Sequence, residues 1–189
     1  VGRPAENTSA NFFSIYYPFD LPEVNILSPD DGALFSEDSV TVEWESNHIQ
    51  GGHEIRLNNN DWIDKGSDTS HTFEDINDGE NTVEVVGYGQ KETTDSATVS
   101  FVVDTTSPEI TITKPQEGKV FGEDSVTAEW EGQDATSEIN HYEGRTDESG
   151  WTGVGTDTSY TFDGLSDGTR YVEVKAEDEA GNEGNENIS

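Results

Sequence analysis

Apolar and polar residues alternate with a period of two along most of the chain. In "SVTVEWE" (39–45), Val40, Val42 and Trp44 share one face, and threonine and glutamate occupy the other. Val83 and Val85 alternate in the same way in "TVEVVG". Turn-forming stretches such as "SPDDG", "NDGE" and "SDGT" separate these runs, and no stretch carries a helical stripe. The pattern predicts short, half-buried β-strands throughout.

The chain contains an internal duplication. "LPEVNILSPDDGALFSEDSVTVEWE" (21–45) aligns without a gap with "SPEITITKPQEGKVFGEDSVTAEWE" (107–131), at an offset of 86 residues. Further along, residues 61–89 align with residues 150–178 at an offset of 89, because the second copy carries a short insertion in a middle loop. Two tandem copies are therefore expected to form two domains.

About seven strands per copy predict an all-β fold of two tandem immunoglobulin-like antiparallel sandwiches. Trp44 and Trp130, at equivalent positions, are the expected core anchors. The predicted domains are an N-terminal donor strand (1–19), a first immunoglobulin-like domain (20–104) and a second one with an incomplete last strand (105–189).

Two segments of the chain carry a family resemblance. "VDTTSPEITI" (103–112) and "AEDEAGNEG" (176–184) resemble the signature of bacterial and archaeal immunoglobulin-like repeats of surface adhesins and filament proteins, in which "VDTTxP" and "DxAGN" recur. The resemblance covers nearly all of residues 20–189 and implies a fold, not an activity. The first copy departs from it, with "GYGQKETTD" in place of the second segment.

The first copy ends in a predicted strand, "SATVSFVVD" (96–104). Its inward-facing residues are Ala97, Val99, Phe101 and Val103. At the offset of 89, the equivalent strand begins at Asn185, Ile188 corresponds to Val99, and the sequence ends at Ser189. We therefore expect the second copy to lack the apolar half of its last strand.

An aromatic segment, "NFFSIYYPF" (11–19), stands in front of the first copy. At the offset of 86, residues 13–17 align with residues 99–103, so the segment corresponds to a last strand with no domain before it. Insertion of this segment into the second domain of another copy removes both irregularities, because an open sheet edge is a template for strand addition. Such a head-to-tail contact is expected to propagate as a homopolymeric filament.

The predicted exchange assigns a register to the inserted strand. The inward-facing side chains are Phe13, Ile15 and Tyr17, and the outward-facing ones are Phe12, Ser14 and Tyr16. The donor residues are Phe12, Phe13, Ile15, Tyr16, Tyr17 and Phe19. The acceptor groove is predicted to comprise Val126, Trp130, Val172, Val174, Ala176 and Ile188. Burial of three such side chains is worth roughly 5 to 9 kcal/mol, at about 1.5 to 3 each.

The predicted architecture, an N-terminal donor strand before immunoglobulin-like sandwiches, resembles that of archaeal surface filaments, the threads and bundling pili.

The composition of the chain limits the kinds of molecule that it can bind. With 41 acidic and 9 basic residues the formal net charge is −32, which repels nucleic acid and anionic membrane surfaces. No apolar run approaches the roughly 20 residues of a membrane helix. The chain has no cysteine and no methionine, and its start at Val1 is typical of a mature end left by signal-peptide removal. We expect an extracellular protein on the cell surface, in contact with itself and with cell-surface or neighbouring-filament partners.

Oxygen-rich turns indicate a calcium site at the domain junction. Its predicted ligands are Asp104, Asp178 and Asn182, with Asp167 as a neighbour; an acidic turn held by backbone hydrogen bonds is the alternative. No other cofactor is required. His48 and His53 share a loop but are not repeated in the second copy, which favours solvated side chains over a metal site. Asn7 and Asn187 lie in glycosylation sequons.

Enzymatic activity is not expected. The chain has no nucleophile elbow, phosphate-binding loop or metalloprotease helix. Glu43 and Glu129 occupy duplicated strand positions typical of solvated sheet faces rather than of a glycosidase pair. The function predicted from sequence is that of a structural filament subunit. The alternatives are a two-module segment of a surface adhesin and an accessory spacer of a secreted hydrolase.

Overall fold

The computed structural model describes residues 20–189, and the predicted donor strand and the sequon at Asn7 lie outside the described residues. Within this range the regular elements are β-strands, apart from one 3₁₀ turn at Gln90–Glu92. Residues 20–189 contain no helix with the length and apolarity that a membrane-spanning helix requires. The predicted all-β class is therefore confirmed.

The first sandwich, residues 23–103, contains eight strands in two sheets. The strands are β1 (Glu23–Ser28), β2 (Ala33–Phe35), β3 (Val40–Asn47), β4 (Gly52–Leu57), β5 (Ile63–Gly66), β6 (Ser70–Phe73), β7 (Gly79–Tyr88) and β8 (Thr94–Val103). One sheet has the order β1-β3-β6 and the other β2-β8-β7-β4-β5. All pairings are antiparallel except that of β2 with β8.

The second sandwich, residues 109–188, contains seven strands in two sheets. They are β9 (Glu109–Lys114), β10 (Val126–Gln133), β11 (Ile139–Thr146), β12 (Thr152–Gly155), β13 (Ser159–Phe162), β14 (Val172–Asp178) and β15 (Glu183–Ile188). The sheets have the orders β13-β10-β9 and β12-β11-β14-β15. The second sheet thus has one strand fewer than its counterpart.

Each sandwich encloses its own apolar core. Trp44 is 2% exposed in the first and Trp130 is 2% exposed in the second, as their shared position in the repeat predicts. Burial alternates along β3, where Val40, Val42 and Trp44 are inside and the residues between them are outside. A period of two places one face of a strand against the core and the other in solvent.

The duplication extends to individual bonds. Trp44 N donates to Thr69 O at 3.0 Å, and Trp130 N donates to Thr158 O at the same distance. Arg56 and Arg145 each lie 4.4 Å from the ring centroid of a tryptophan in the following hairpin and pair with a glutamate on the neighbouring strand. Because so much geometry is shared, the places where the copies differ are informative.

Candidate functional site

The principal difference lies at the end of the last strand. In the first sandwich, β8 lies between β7 and the short strand β2. Its final residues pair on both sides: Phe101 opposes Asn81 on β7 and Ala33 on β2, and Val103 opposes Gly79 and Phe35. The last residues of β8 therefore have a strand partner on both sides.

In the second sandwich the same strand stops short. Val172 opposes Ile188 as Val83 opposes Val99, which confirms the predicted equivalence of Ile188 and Val99. Gly118 N donates to Ser189 O at 2.7 Å, as Gly32 N donates to Ser100 O. No strand of residues 20–189 lies at the place that Phe101–Val103 fill in the first sandwich.

Two stretches therefore have no strand partner in the part of the chain that the structure describes. Residues 119–121, equivalent to β2, are not strand, and β14 begins at Val172, whereas β7 begins four positions earlier in the repeat, at Gly79. Strand structure requires backbone hydrogen bonds to a neighbour, so the absence of one strand removes it from both flanking stretches. The backbone of residues 168–171 and that of 119–121 form the two sides of an open slot.

Several large apolar side chains line this slot. A cavity of about 450 Å³ lies here, and Val120, Phe121, Val126, Leu165, Val172 and Ile188 are among its lining residues. Val120 is 88% exposed and Phe121 45% exposed, whereas their equivalents Leu34 and Phe35 are partly buried. The slot therefore exposes side chains that the first sandwich covers with its own β8.

The slot is shorter than the sequence predicted. Of the expected acceptor residues, Val126, Val172 and Ile188 line the cavity. Trp130, Val174 and Ala176 do not: they are at most 2% exposed in the core. The reason is that β15 begins at Glu183, not at Asn185, and already pairs with β14 from Val172 to Glu177. On the β14 side, therefore, only the stretch that precedes Val172 has no partner strand among the described residues.

A basic residue stands at one side of the slot. Arg170 occupies the position of the buried Asn81 and pairs with Glu148 at 2.9 Å and Asp147 at 3.5 Å. Its Nε is buried without a hydrogen-bond partner among the described residues. Hydrogen bonding from Ser166, with a smaller contribution from Arg170, lowers the pKa of Glu148 and keeps it ionised.

A second candidate site lies at the junction of the two sandwiches. Carboxylate oxygens of Asp104, Asp134 and Asp178 lie within 4.8 Å of one another, and Asp104 and Asp178 are fully buried. One oxygen each of Asp104 and Asp134 is buried without a hydrogen-bond donor. No Lys or Arg of residues 20–189 forms an ion pair with any of the three.

Asn182 has a different place from the predicted one. Its amide Nδ2 donates to Asp104 O at 2.8 Å and to Asp178 Oδ2 at 3.0 Å, and its backbone N–H donates to Asp178 Oδ1. The residue thus positions Asp178 rather than joining the cluster. Asp167, the predicted neighbour, lines the slot instead.

The third carboxylate, Asp134, was not identified from sequence. It lies just after β10, in the loop that carries the insertion of the second copy, and Asp134 Oδ1 accepts bonds from the N–H groups of Thr136 and Ser137. The insertion itself was a signal, because it adds an acidic residue to one copy only. Its proximity to Asp104 and Asp178, within 4.8 Å, is a long-range contact that sequence spacing does not show.

The carboxylate oxygens of this cluster are ligands that suit a hard cation. The three carboxylates are buried or half-buried, lie close together and have no Lys or Arg of residues 20–189 as an ion-pair partner. Calcium takes carboxylate and carbonyl oxygens as ligands and would compensate their charge. A cavity of about 320 Å³ lies beside Asp134. Asp104, Asp134 and Asp178 are the residues that would hold the ion.

Other candidate residues have structural roles or lie on the surface. His53 is buried, with its ring nitrogens 2.9 Å from Ser46 Oγ and 3.2 Å from Gly66 O, so it is not available to a metal. His48 pairs with Asp20 at 3.3 Å on the surface. Glu129 pairs with Lys114 across neighbouring strands. Asn187, of the second sequon, is exposed on β15.

No protein-family model matches the chain, and no curated protein matches it. Among solved structures, the chain is similar to fibronectin(III)-like modules of Clostridium thermocellum CbhA, with 14% identity, 88% of this chain and 92% of that chain covered, and a TM-score of 0.47. It is also similar to three N-terminal domains of the outer capsid protein Hoc of bacteriophage RB49. Here the identity is 12%, 89% of this chain and 66% of that chain are covered, and the TM-score is 0.49. A third similar structure is a chain from a 1.5-MDa bacterial ice-binding adhesin, with 14% identity, 90% of this chain and 64% of that chain covered, and a TM-score of 0.47. At these identities the similarity is one of fold.

Proposed function

We propose that this protein is a structural subunit of an extracellular filament, joined head to tail by strand insertion. Residues 11–19 of one copy enter the open slot of the second sandwich of the next copy. The single observation that carries the proposal is the slot itself, a cavity between two backbone stretches that no strand of residues 20–189 pairs, at the place where the first sandwich holds Phe101–Val103.

The chain carries a segment suited to this slot. A strand that enters it needs alternating side chains with an apolar inner face and no charge, and "FSIYY" (13–17) has these properties. The rest of the surface is strongly acidic, with a formal net charge of −32, and therefore repels other copies wherever no specific contact forms. A neutral aromatic segment is the part of the chain best suited to self-association.

The contact is directional and durable. The donor precedes the first sandwich and the acceptor lies in the second, so each copy offers one of each, and a contact that does not close into a ring extends as a fibre. The inserted strand gains apolar burial and backbone hydrogen bonds on two sides. Dissociation then resembles the unfolding of a sheet, which is a slow process.

A bound cation at the junction belongs to the same proposal. Asp104 N donates to Phe35 O in the first sandwich, while Asp134 and Asp178 belong to the second. Calcium held by these three carboxylates would join the linker to both sandwiches and restrict bending between them. A stiff junction is an advantage in a filament subunit that transmits tension from one slot to the next.

The test compares two substitutions in the full chain, at neighbouring positions whose side chains lie on opposite faces of the inserted strand. Ile15→Lys places a charge on the inward face of the inserted strand, and burial of an unpaired charge is strongly unfavourable. Ser14→Lys makes the same chemical change on the outward face, where an acidic surface accepts it. We expect Ile15→Lys to abolish filaments and Ser14→Lys to keep them, as seen by negative-stain electron microscopy and light scattering.

Three results would contradict the proposal. Filaments that survive Ile15→Lys would exclude insertion of this segment. Equal loss with both substitutions would indicate a surface effect rather than insertion. A monomeric native protein whose residues 168–171 are protected from hydrogen exchange would show that the slot is covered without a second copy, as expected of a two-module adhesin segment or of a spacer in a secreted hydrolase.

A further inference from the structure

We propose that the inserted strand enters the slot two residues further along than the alignment of residues 13–17 with 99–103 implies. In this register Phe13 takes the place of Phe101, Ser14 that of Val102 and Ile15 that of Val103. The inference rests on the proposed function and specifies which residues of the partner copy recognise the slot.

The first argument is that part of the aligned register is already occupied. The alignment assigns Phe13 and Ser14 to the places of Val99 and Ser100. In the second sandwich those places are held by Ile188, which pairs with Val172, and by Ser189, which accepts the bond from Gly118 N. The first free inward-facing place is therefore the one equivalent to Phe101.

The second argument is side-chain fit. In the first sandwich Phe101 is 1% exposed and meets Phe35 edge to face, with ring centroids 5.8 Å apart. Phe121, the equivalent of Phe35, is 45% exposed at the slot. A phenylalanine at the free place restores this ring pair. The next inward place belongs to the fully buried Val103, and Ile15 supplies a β-branched side chain there.

The third argument concerns the face of the strand. A shift of one residue would turn Ser14 inward and its neighbours Phe13 and Ile15 outward, because strand side chains alternate with a period of two. A shift of two residues keeps Phe13 and Ile15 on the inner face and changes only their position along the slot. The alternation of inward and outward side chains therefore does not distinguish the two registers. The positions already filled by Ile188 and Ser189 and the sizes of the inserted side chains do.

The register fixes the neighbours of the inserted strand. In the first sandwich Val102 opposes Glu80 on β7 and Leu34 on β2. The equivalent residues of the second sandwich are Thr169 and Val120. Ser14 is therefore placed opposite Thr169, with residues 119–121 completing a five-stranded sheet. In the aligned register Tyr16, not Ser14, would lie opposite Thr169.

Disulfide trapping distinguishes the two registers. The chain has no cysteine, so two introduced cysteines give an unambiguous crosslink. Side chains directly opposite each other in antiparallel strands have Cβ atoms about 4.5 to 5.5 Å apart, close enough for a disulfide after a small adjustment. The two variants of the full chain are Ser14→Cys with Thr169→Cys, and Tyr16→Cys with Thr169→Cys. The single variant Ser14→Cys is the control for random contacts.

We expect the Ser14/Thr169 pair to give a ladder of covalent oligomers on a non-reducing gel after mild oxidation, with at least a 10-fold higher yield than the Tyr16/Thr169 pair. Filaments in which the Tyr16/Thr169 pair crosslinks better, or in which neither pair crosslinks, would overturn the register while the proposed function stands. An intramolecular crosslink in a monomer, or the absence of filaments, would overturn the exchange between copies itself.

Discussion

Phe35 and Phe101 form an edge-to-face pair in the first sandwich, with ring centroids 5.8 Å apart and planes at 89°. In the second sandwich Phe121 stands in the place of Phe35, and residues 20–189 provide no second ring. The same repeat therefore appears once with its last strand complete and once with a slot. The completed copy serves as an internal reference for what fills the slot.

Phe101→Ala is expected to open a comparable cavity in the first sandwich. Loss of a fully buried phenylalanine costs about 3 to 5 kcal/mol of unfolding free energy. Thr98→Ala, an exposed change on the same strand, should cost within about 0.5 kcal/mol. Hydrogen-exchange protection of β7 in both variants measures the difference. Similar protection in the two variants would mean that Phe101 contributes little to this sheet.

A synthetic peptide of residues 9–20 should cap growing filaments. It competes for the slot of the terminal copy, so mean filament length should fall as peptide concentration rises. New hydrogen-exchange protection is expected at residues 168–171 and 119–121, which are the two open edges. A scrambled peptide of the same composition lacks the alternation and should have no effect. Protection that appears instead on β7 would place the segment on its own first sandwich.

Calcium is expected to stabilise the junction. A ligand that binds only the folded state contributes about 2.7 kcal/mol at 100 times its dissociation constant. We expect thermal unfolding at fixed ionic strength to shift upward with calcium relative to chelator, and Asp134→Asn to remove most of the shift. Asp157→Asn, an exposed acidic residue of the same sandwich, is the matched control. An equal response to monovalent salt would argue for charge screening instead.

Asp78 should make attachment of the linker dependent on pH. Asp78 accepts hydrogen bonds from Thr106 Oγ1 at 2.7 Å and from Thr105 N and Oγ1, and these bonds lower the pKa of Asp78. A carboxylate whose folded pKa is depressed contributes stability that is present above its ordinary pKa near 3.9 and is lost as pH falls through the folded value. Protease cleavage at residues 104–107 should therefore rise below about pH 4.

Asp78→Asn provides the comparison for this prediction. The variant should be cleaved faster than the native chain at neutral pH, and the difference should vanish at low pH. Asp167→Asn, the equivalent position of the second sandwich, should leave linker cleavage unchanged. A difference between native and Asp78→Asn protein that persists at pH 2 would exclude the carboxylate as its origin.

The sequence by itself determined the fold class, the duplication and the strands of the two sandwiches. These features depend on local pattern: the period of two places Val40, Val42 and Trp44 inside without reference to the rest of the chain. The repeat also gave the equivalence of Ile188 and Val99, because an alignment carries register as well as identity.

The tertiary structure decided the extent of the slot and the ligands of the acidic cluster. Val174 and Ala176 are not part of the slot, because β15 begins at Glu183 and pairs with β14 opposite both residues. Trp130 is buried in the core of the second sandwich. Asp134 comes within 4.8 Å of Asp104 and Asp178 only in the folded chain, because the three residues lie in segments far apart in the sequence. Contacts between distant segments depend on where whole strands stop and loops cross, and a periodic pattern carries no such information.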